Sequence, residues 1–256
     1  MRKPATMTSP SDDSSDIDVG FDFRRDTPEG KDPDTHSRTL RRYHQLLWNK
    51  PLPSGKVFEL EEYGRYLRYR SSRFDGAALV LSSDTVIPTF KWNNQIRQLI
   101  SQGELDDFNA KAYTIGGMMI FPAEQIGRKW TINQARGCKK EIRDRFDLTL
   151  ECIRRHYVGE PSPLSDVLAR YATFFELFEN FRGYIEFFLL QDLVTSDYAG
   201  VKIAPPFDNF RGSPIPTTTE EYSAYKSAAL GFIKARNGRI QESRGSAAQR
   251  HFTACR

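Results

Sequence analysis

The sequence predicts an α+β protein in which an antiparallel sheet, formed by the N-terminal half, packs against a mostly helical C-terminal half. Two observations support this class. Between Val57 and Pro122, short apolar or alternating stretches are broken by Gly, Ser and Pro, a pattern typical of β strands. From Lys139 onward, apolar residues recur at helical spacing. Because the strands come first and the helices follow, a sheet covered by a helical layer is the expected arrangement.

One helix is predicted before the strands. Its apolar residues from Leu40 to Trp48 fall at helical spacing, Ser37 is among its possible caps, and Pro51 ends it. The predicted strands have the sequences VFELEEY, RYLRYRS, AALVLSS and YTIGGMMIFP. Paired glycines within the last of them indicate either a bulge or a place where a ligand or another backbone comes close.

Four helices are predicted after the strands. They span Lys139 to Tyr157, Ser162 to Phe178, residues 181–194, and a last segment marked by Tyr222, Tyr225, Ala229, Phe232 and Ile233. The segment 181–194 is apolar nearly all round. It is therefore expected to be the central helix of the core, since no side of it is polar enough to face solvent.

Length and composition favour a single globular domain. Of the 256 residues, 39% are hydrophobic and 27% are charged, so the chain has enough apolar surface to build a core. Residues 1–20 are rich in Ser, Asp, Pro and Thr and are expected to be disordered. The predicted domain spans residues 21–240, and residues 241–256 are expected to form a flexible basic tail.

Charge and cysteine usage limit the function classes. A net charge of +4 and a pI near 8.9 permit an anionic partner without requiring one. Cys138, Cys152 and Cys255 are odd in number and show no CxxC spacing, which predicts a reduced, cytoplasmic setting without structural zinc. No apolar run is long enough for a signal peptide or a membrane span, so no membrane association is expected.

Several catalytic motifs are absent from the sequence. It contains no GxxxxGK phosphate-binding loop, no GxGxxG, no GxSxG nucleophile elbow and no HExxH. None of its four histidines has an arginine five positions earlier, a pattern of one large class of bacterial ribonucleases. These well-defined chemistries are therefore not expected here.

One polar segment stands out from the packing pattern. On a helical wheel Asp144, Asp147, Glu151 and Arg155 share one face, and apolar neighbours beside them indicate partial burial. Buried carboxylates need partners or have raised pKa values. Two interpretations remain open: a structural ladder of ion pairs, or a catalytic site that uses these carboxylates.

The sequence TINQARGCKK comes just before that segment. If a helix begins near Gly137, then Asn133, Arg136 and Lys139 gather donors at its positive end, where an anion or a phosphate would bind. A plain capped loop is the alternative. Cys138 would have a lowered pKa there, although a small filler is the simpler explanation.

Other polar residues carry paired interpretations as well. His44 and His156 lie at the edges of apolar helix faces, as core histidines or as acid–base groups. DPDTH places Asp32, Asp34 and His36 as conceivable metal ligands, or as an ordinary helix start. Asp192 is expected to pair with Arg136 or Arg155, and Glu186 with Arg182.

Five stretches of the chain also resemble a bacterial family described as a domain of unknown function. They are FDFRRDTPEGKDPDTHSRTLRRYHQLLWNKPLP, YTIGGMMIFP, TINQARG, DRFDLTLECIRRHY and FRGYIEFFLLQDLV. The resemblance covers most of the chain between its ends and implies a single domain. It implies no activity for any residue.

The leading hypothesis is an intracellular enzyme acting on a phosphate-bearing substrate, a nucleotide or a nucleic acid. Asn133, Arg136, Lys139 and Arg155 would bind the substrate, and Asp144, Asp147, Glu151, His156 and His44 would supply the catalytic groups. A divalent metal ion is possible but not favoured, and no metal ligands are assigned. The alternative is a non-catalytic regulatory or interaction protein that binds nucleic acid or protein through a surface of arginines. This surface consists of Arg24, Arg25, Arg38, Arg41, Arg42 and the basic tail. The sequence leaves the substrate, the reaction and the oligomeric state open.

Overall fold

A computed structural model of the chain describes residues 16–70, 78–87 and 97–254. The strands are β1 Lys50–Pro51, β2 Val57–Phe58, β3 Leu60–Tyr63, β4 Tyr66–Arg70, β5 Ala78–Thr85 and β6 Met118–Pro122. The α helices are α1 Pro33–His36, α2 Arg38–Trp48, α3 Gln102–Ala112, α4 Ile132–Cys138, α5 Phe146–Val158, α6 Ser165–Arg170, α7 Ala172–Phe175, α8 Phe181–Phe187 and α9 Thr219–Ala254. The α+β class with the sheet in the N-terminal half is confirmed.

The main sheet has four antiparallel strands in the order β3-β4-β5-β6. Strand β5 is central, and its last residues pair with the first residues of β6, with Thr85 opposite Met118. β1 and β2 form a separate antiparallel pair. The end of β5 therefore lies inside the fold, next to the helices that follow β6.

The strand predicted over YTIGGMMIFP is shorter than expected. It begins only at Met118, because Ile115–Gly117 form a 3-10 turn that follows α3, a helix that the sequence interpretation did not include. A Cβ atom on Gly116 would lie 2.6 Å from the carbonyl oxygen of Ile233 in α9. Of the two meanings of the paired glycines, the close approach of another backbone is the correct one.

Helix α8 is shorter than the central helix predicted over residues 181–194. It ends at Phe187, and Leu189 has a positive φ of 56°. Its buried side packs into an aromatic cluster, with the rings of Phe178 and Phe187 5.1 Å apart. Its other side is exposed and carries the predicted ion pair between Arg182 and Glu186 at 2.7 Å. The predicted helix from Ser162 to Phe178 is also divided, into α6, α7 and a 3-10 turn. The helix predicted from Lys139 to Tyr157 begins only at Phe146, as α5.

Both predicted tails differ from the structure in part. Ile17 and Val19 pack against the core although residues 1–20 were expected to be disordered, and residues 1–15 lie outside the described part. At the other end α9 continues to Ala254, so the chain does not leave regular structure at Gln241. Its Ala, Gln and Arg residues favour helix, and single glycines lower that preference without ending it.

No helix among the described residues is long and apolar enough to cross a membrane.

Candidate functional site

Helix α4 begins earlier than the sequence interpretation placed a helix start. Thr131 caps it: the Thr131 hydroxyl accepts from the Gln134 amide at 3.3 Å, and the Gln134 side chain accepts from the Thr131 amide at 3.0 Å. Asn133 and Arg136 therefore lie within the helix, and Lys139 follows its last turn. The predicted phosphate cradle at a helix N-terminus near Gly137 is wrong, because these donors do not surround a free helix start.

The Arg136 side chain is fully buried. Its Nε donates to the Thr149 hydroxyl at 2.9 Å, and its Nη2 donates to the backbone carbonyls of Thr85 at 3.3 Å and Asp144 at 3.0 Å. Its Nη1 pairs with the carboxylate of Asp84 at the end of β5. Each of its three nitrogens thus has a partner within the protein, which makes Arg136 a buried anchor in this structure.

Four carboxylates from three parts of the chain lie near this guanidinium. Those of Asp84 and Asp144 contact it, that of Asp34 acts on its pKa, and that of Asp32 acts on the pKa of Asp34 and Asp84. We call them the acidic cluster: Asp32, Asp34, Asp84 and Asp144. Asp32 caps α1 by accepting from the Asp34 amide at 3.0 Å, and Asp144 lies in the turn between α4 and α5, with an oxygen 3.7 Å from Arg136. The cluster reaches the surface, because Asp32 is exposed and the Asp144 side chain keeps 20% of its surface accessible.

Asp34 is the least satisfied member of the acidic cluster. Its Oδ1 atom is buried and has no hydrogen-bond partner among the described residues. Burial raises the pKa of Asp34 well above its usual range, and the nearby carboxylates of Asp84, Asp32 and Asp144 add to the rise. A carboxyl group in such surroundings retains a proton at a pH where an exposed aspartate is ionised.

Asp84 is perturbed in the same direction. Burial raises its pKa to about 7, against the opposing charge of Arg136, and Asp144 and Asp32 raise it further. Two neighbouring carboxyl groups that influence each other's titration lose their protons as a pair. The charge of Asp84 also raises the pKa of Asp34, so we treat the titrations of these two carboxyl groups, the Asp34–Asp84 pair, as linked.

Asn133 lies beside the acidic cluster. Its amide nitrogen donates to the Ser82 hydroxyl at 3.2 Å, and its Oδ1 atom is buried without a hydrogen-bond partner among the described residues. The described residues include no group of three His, Cys, Asp or Glu side chains with the geometry to hold a metal ion. We assign no metal to the cluster.

A comparison with models of known protein families identifies the family of the chain. The sequence model of a family of unknown function, DUF6994, matches residues 17–240, most of the 256-residue chain. The chain belongs to this family. No curated protein and no solved structure matches it significantly.

The other predicted catalytic carboxylates of this DUF6994 protein are held in structural ion pairs. Asp147 accepts two hydrogen bonds from Arg145, at 3.1 and 2.6 Å, and one from the Ala204 amide at 3.0 Å. Arg154 and Arg155 both contact Glu151 at 2.8 Å. Burial alone would raise the pKa of Glu151, but these two hydrogen-bonded arginines lower it. For these residues the structure favours the ladder of ion pairs.

The shared helical face that predicted the site is only partly real. Asp147, Glu151 and Arg155 lie one turn apart along α5, but Asp144 precedes the helix and has a φ of 68°. Arg155 was predicted to bind substrate; in the structure it holds Glu151 and donates to Asn209 at 2.8 Å. Only Asp144 among the predicted catalytic carboxylates belongs to the acidic cluster.

Neither predicted histidine joins the acidic cluster by a hydrogen bond or an ion pair among the described residues. His44 is fully buried, accepts a hydrogen bond from the Trp48 indole at 3.0 Å, and has its pKa lowered to about 3 by burial. His156 packs against the ring of Phe175, with centroids 5.2 Å apart, and burial lowers its pKa as well. His44 is therefore a core histidine, whereas His156 is only partly buried, beside an aromatic cluster.

Two further expectations change in the structure. Asp192 pairs with Arg239 at 2.6 Å, and not with Arg136 or Arg155. The sequence interpretation does not include Asp84, although an aspartate that directly follows the predicted strand AALVLSS is a usable signal, since polar residues at strand ends often carry function. Asp34 was noticed only as a helix cap or a metal ligand. Its proximity to Asp84, fifty positions away in the sequence, has no local sequence pattern.

Proposed function

We propose that this DUF6994 protein is an enzyme whose acidic cluster performs acid–base chemistry, with Asp34 and Asp84 sharing a proton. One observation carries the proposal: separate segments place carboxylates around a single buried guanidinium and leave a carboxylate oxygen of Asp34 buried without a hydrogen-bond partner. Such an arrangement costs folding free energy. Perturbed groups of this kind concentrate at functional sites.

The pair has the properties that a general acid needs near neutral pH. A carboxyl group that keeps its proton can protonate a leaving group, and its ionised neighbour can then accept a proton from water. Arg136 acts as a positioning residue, since it fixes Asp84 and is itself fully buried. The nearby charges of Asp32 and Asp144 favour a substrate whose reacting group is neutral or cationic.

The phosphate-bearing substrate predicted from the sequence fits this site only in part. Four carboxylates against one guanidinium oppose an anion at the reacting position. A nucleotide or nucleic acid would thus need its phosphate groups to bind elsewhere on the surface. We retain this substrate class as part of the proposal, with an intracellular location that cell fractionation would test.

The non-catalytic alternative, binding through N-terminal arginines, is less well supported. Arg41 is buried and donates to the carbonyls of Thr35 and Ser37, both at 3.2 Å. Arg24 is paired with Asp22 at 2.7 Å. These contacts reduce the charge that the predicted arginine surface offers to a partner.

The enzyme proposal is tested by screening the purified protein against ester, glycoside, nucleoside and nucleotide substrates between pH 5 and pH 8. We expect turnover that falls by about 10²- to 10⁴-fold in Asp34→Asn, the range that one acid–base group supplies. Asp107→Asn removes an exposed carboxylate of α3 and should leave turnover unchanged. Full activity in Asp34→Asn would refute the role of the pair.

A further inference from the structure

A second candidate site lies on the other side of α4, in a groove that we call the basic groove. Its volume is about 360 Å³, and its residues come from the loop before α4, from α4 itself and from α6. The lining residues are Arg128, Lys129, Trp130, Ala135, Lys139, Pro163, Asp166, Val167 and Arg170. The volume lies at the lower end of the range for small-molecule sites, which suits a single nucleotide unit.

The charge of the basic groove is strongly positive. Arg128, Lys129, Lys139 and Arg170 line it together with one carboxylate, that of Asp166. Among the described residues, none of the four cations forms an ion pair. Their charges are therefore available to an anion in the groove.

Arg170 has an unusual environment at this groove. Its Nη1 and Nη2 donate to the backbone carbonyls of Asp166 at 2.9 Å and Trp130 at 2.8 Å. Its Nε is buried and has no hydrogen-bond partner among the described residues. This arginine fixes the backbone of Trp130 beside the groove and adds a positive charge to its lining.

Trp130 supplies a flat apolar surface beside these charges. Half of its surface is exposed, at 51%. Pro163, with the buried residues Ala135 and Val167, gives the groove an apolar floor. An exposed indole beside basic side chains is the combination that stacks a nucleobase while the cations hold its phosphate.

Helix α4 separates this groove from the acidic cluster. Ala135 and Lys139, four positions apart, line the groove, whereas Asn133 and Arg136 contact β5. Lys139, which the sequence interpretation selected as a phosphate ligand, thus lies at a different site from Arg136.

We propose that the basic groove binds a nucleotide unit, with the base stacked on Trp130 and the phosphate held by Lys139 and Arg128. The ligand chemistry is the same for a free nucleotide and for one unit of a single strand. Within this site Arg170 is a positioning residue, since its Nη atoms bond the carbonyls of Asp166 and Trp130. The site does not depend on catalysis at the acidic cluster.

The test measures fluorescence anisotropy of a labelled 12-nucleotide single strand with the full-length protein at 50 mM salt. Trp130→Ala should raise Kd by about tenfold, within the range for loss of one stacking contact. Lys139→Gln should weaken binding and reduce the salt dependence of log Kd by about one unit of slope. The matched controls are Tyr66→Ala, which removes another exposed aromatic ring, and Lys56→Gln, an exposed lysine outside the groove.

Competition distinguishes the two sources of ligand. Displacement of the strand by AMP at micromolar concentration identifies a free-nucleotide site, and displacement only by unlabelled strand identifies a single-strand site; both support the proposal. Wild-type affinity in Trp130→Ala and Lys139→Gln, or absence of binding by both AMP and the strand, would overturn it. Asp34→Asn should bind as the wild type does, which keeps this test separate from that of the enzyme proposal.

Discussion

Arg136 shows how burial determines the role of a charged residue. The sequence selected it as a phosphate ligand because Asn, Gln, Arg and Lys gather around it, and that concentration of donors is real. Their role depends on where the helix begins. Thr131 caps α4, so Asn133 and Arg136 lie within the helix and not around its first amides. Asp144 was selected for the wrong reason, as part of a helical face, yet it does meet Arg136.

Removal of the Arg136 guanidinium should destabilise the fold strongly. Arg136→Met leaves Asp84 without its cation and the carbonyls of Thr85 and Asp144 without a donor, a loss on the order of 3–5 kcal/mol for a broken buried pair. The control is Arg182→Met on α8, whose exposed pair should contribute little. Urea unfolding compares the two variants. Similar free energies of unfolding would show that Arg136 is not the anchor of the cluster.

At the contact between α9 and the 3-10 turn Ile115–Gly117, the local sequence predicts that another segment comes close but not which segment it is. The paired glycines correctly indicated a close approach, because a glycine has no side chain and lets another backbone come near its own. The partner of that approach was not predictable, because Asn237 lies more than a hundred positions away. Its side chain accepts from the Gly116 amide at 2.7 Å.

A methyl group at Gly116 should separate these elements. Its Cβ would lie 2.5 Å from the Asn237 side chain and 2.6 Å from the Ile233 carbonyl, so Gly116→Ala should lower the free energy of unfolding by about 2 kcal/mol. Gly238→Ala, in α9, has no atom within 4 Å of the new Cβ and should stabilise the helix by up to about 1 kcal/mol. Thermal unfolding of both variants checks this. A neutral Gly116→Ala would mean that α9 does not pack as described.

At the scale of the whole molecule, class and site differ in how far they can be predicted. The α+β class follows from periodicity, which is local to each segment, whereas several element bounds do not, since α3 and α4 were not predicted and the helix over residues 181–194 ends at Phe187. The acidic cluster depends on α1, β5 and the turn before α5 meeting in space, and no single stretch of sequence carries that information. The net charge of +4 likewise does not predict that the acidic cluster and the basic groove lie on different sides of α4.

The central claim is that Asp34 and Asp84 share a proton at neutral pH, and the pH dependence of stability tests it without any substrate. A carboxyl whose pKa is raised in the folded state contributes stability that is full below its unfolded pKa, near 4, and is lost as the pH rises through the folded pKa. For Asp84 that value is about 7. The pKa of Asp34 is raised as well, and the wild type carries both carboxyl groups. The free energy of unfolding of the wild type should therefore fall relative to that of Asp34→Asn as the pH rises from about 5 to 8.

The decisive measurement is urea unfolding of the wild type, Asp34→Asn and the control Asp107→Asn at pH 5, 6, 7 and 8. We predict that the free energy of unfolding of Asp34→Asn rises by at least about 1 kcal/mol relative to that of the wild type between pH 5 and pH 8. One pKa unit corresponds to roughly that free energy. Asp107→Asn should stay parallel to the wild type. Parallel curves for the wild type and Asp34→Asn would contradict the shared proton and, with it, the acid–base role of the cluster.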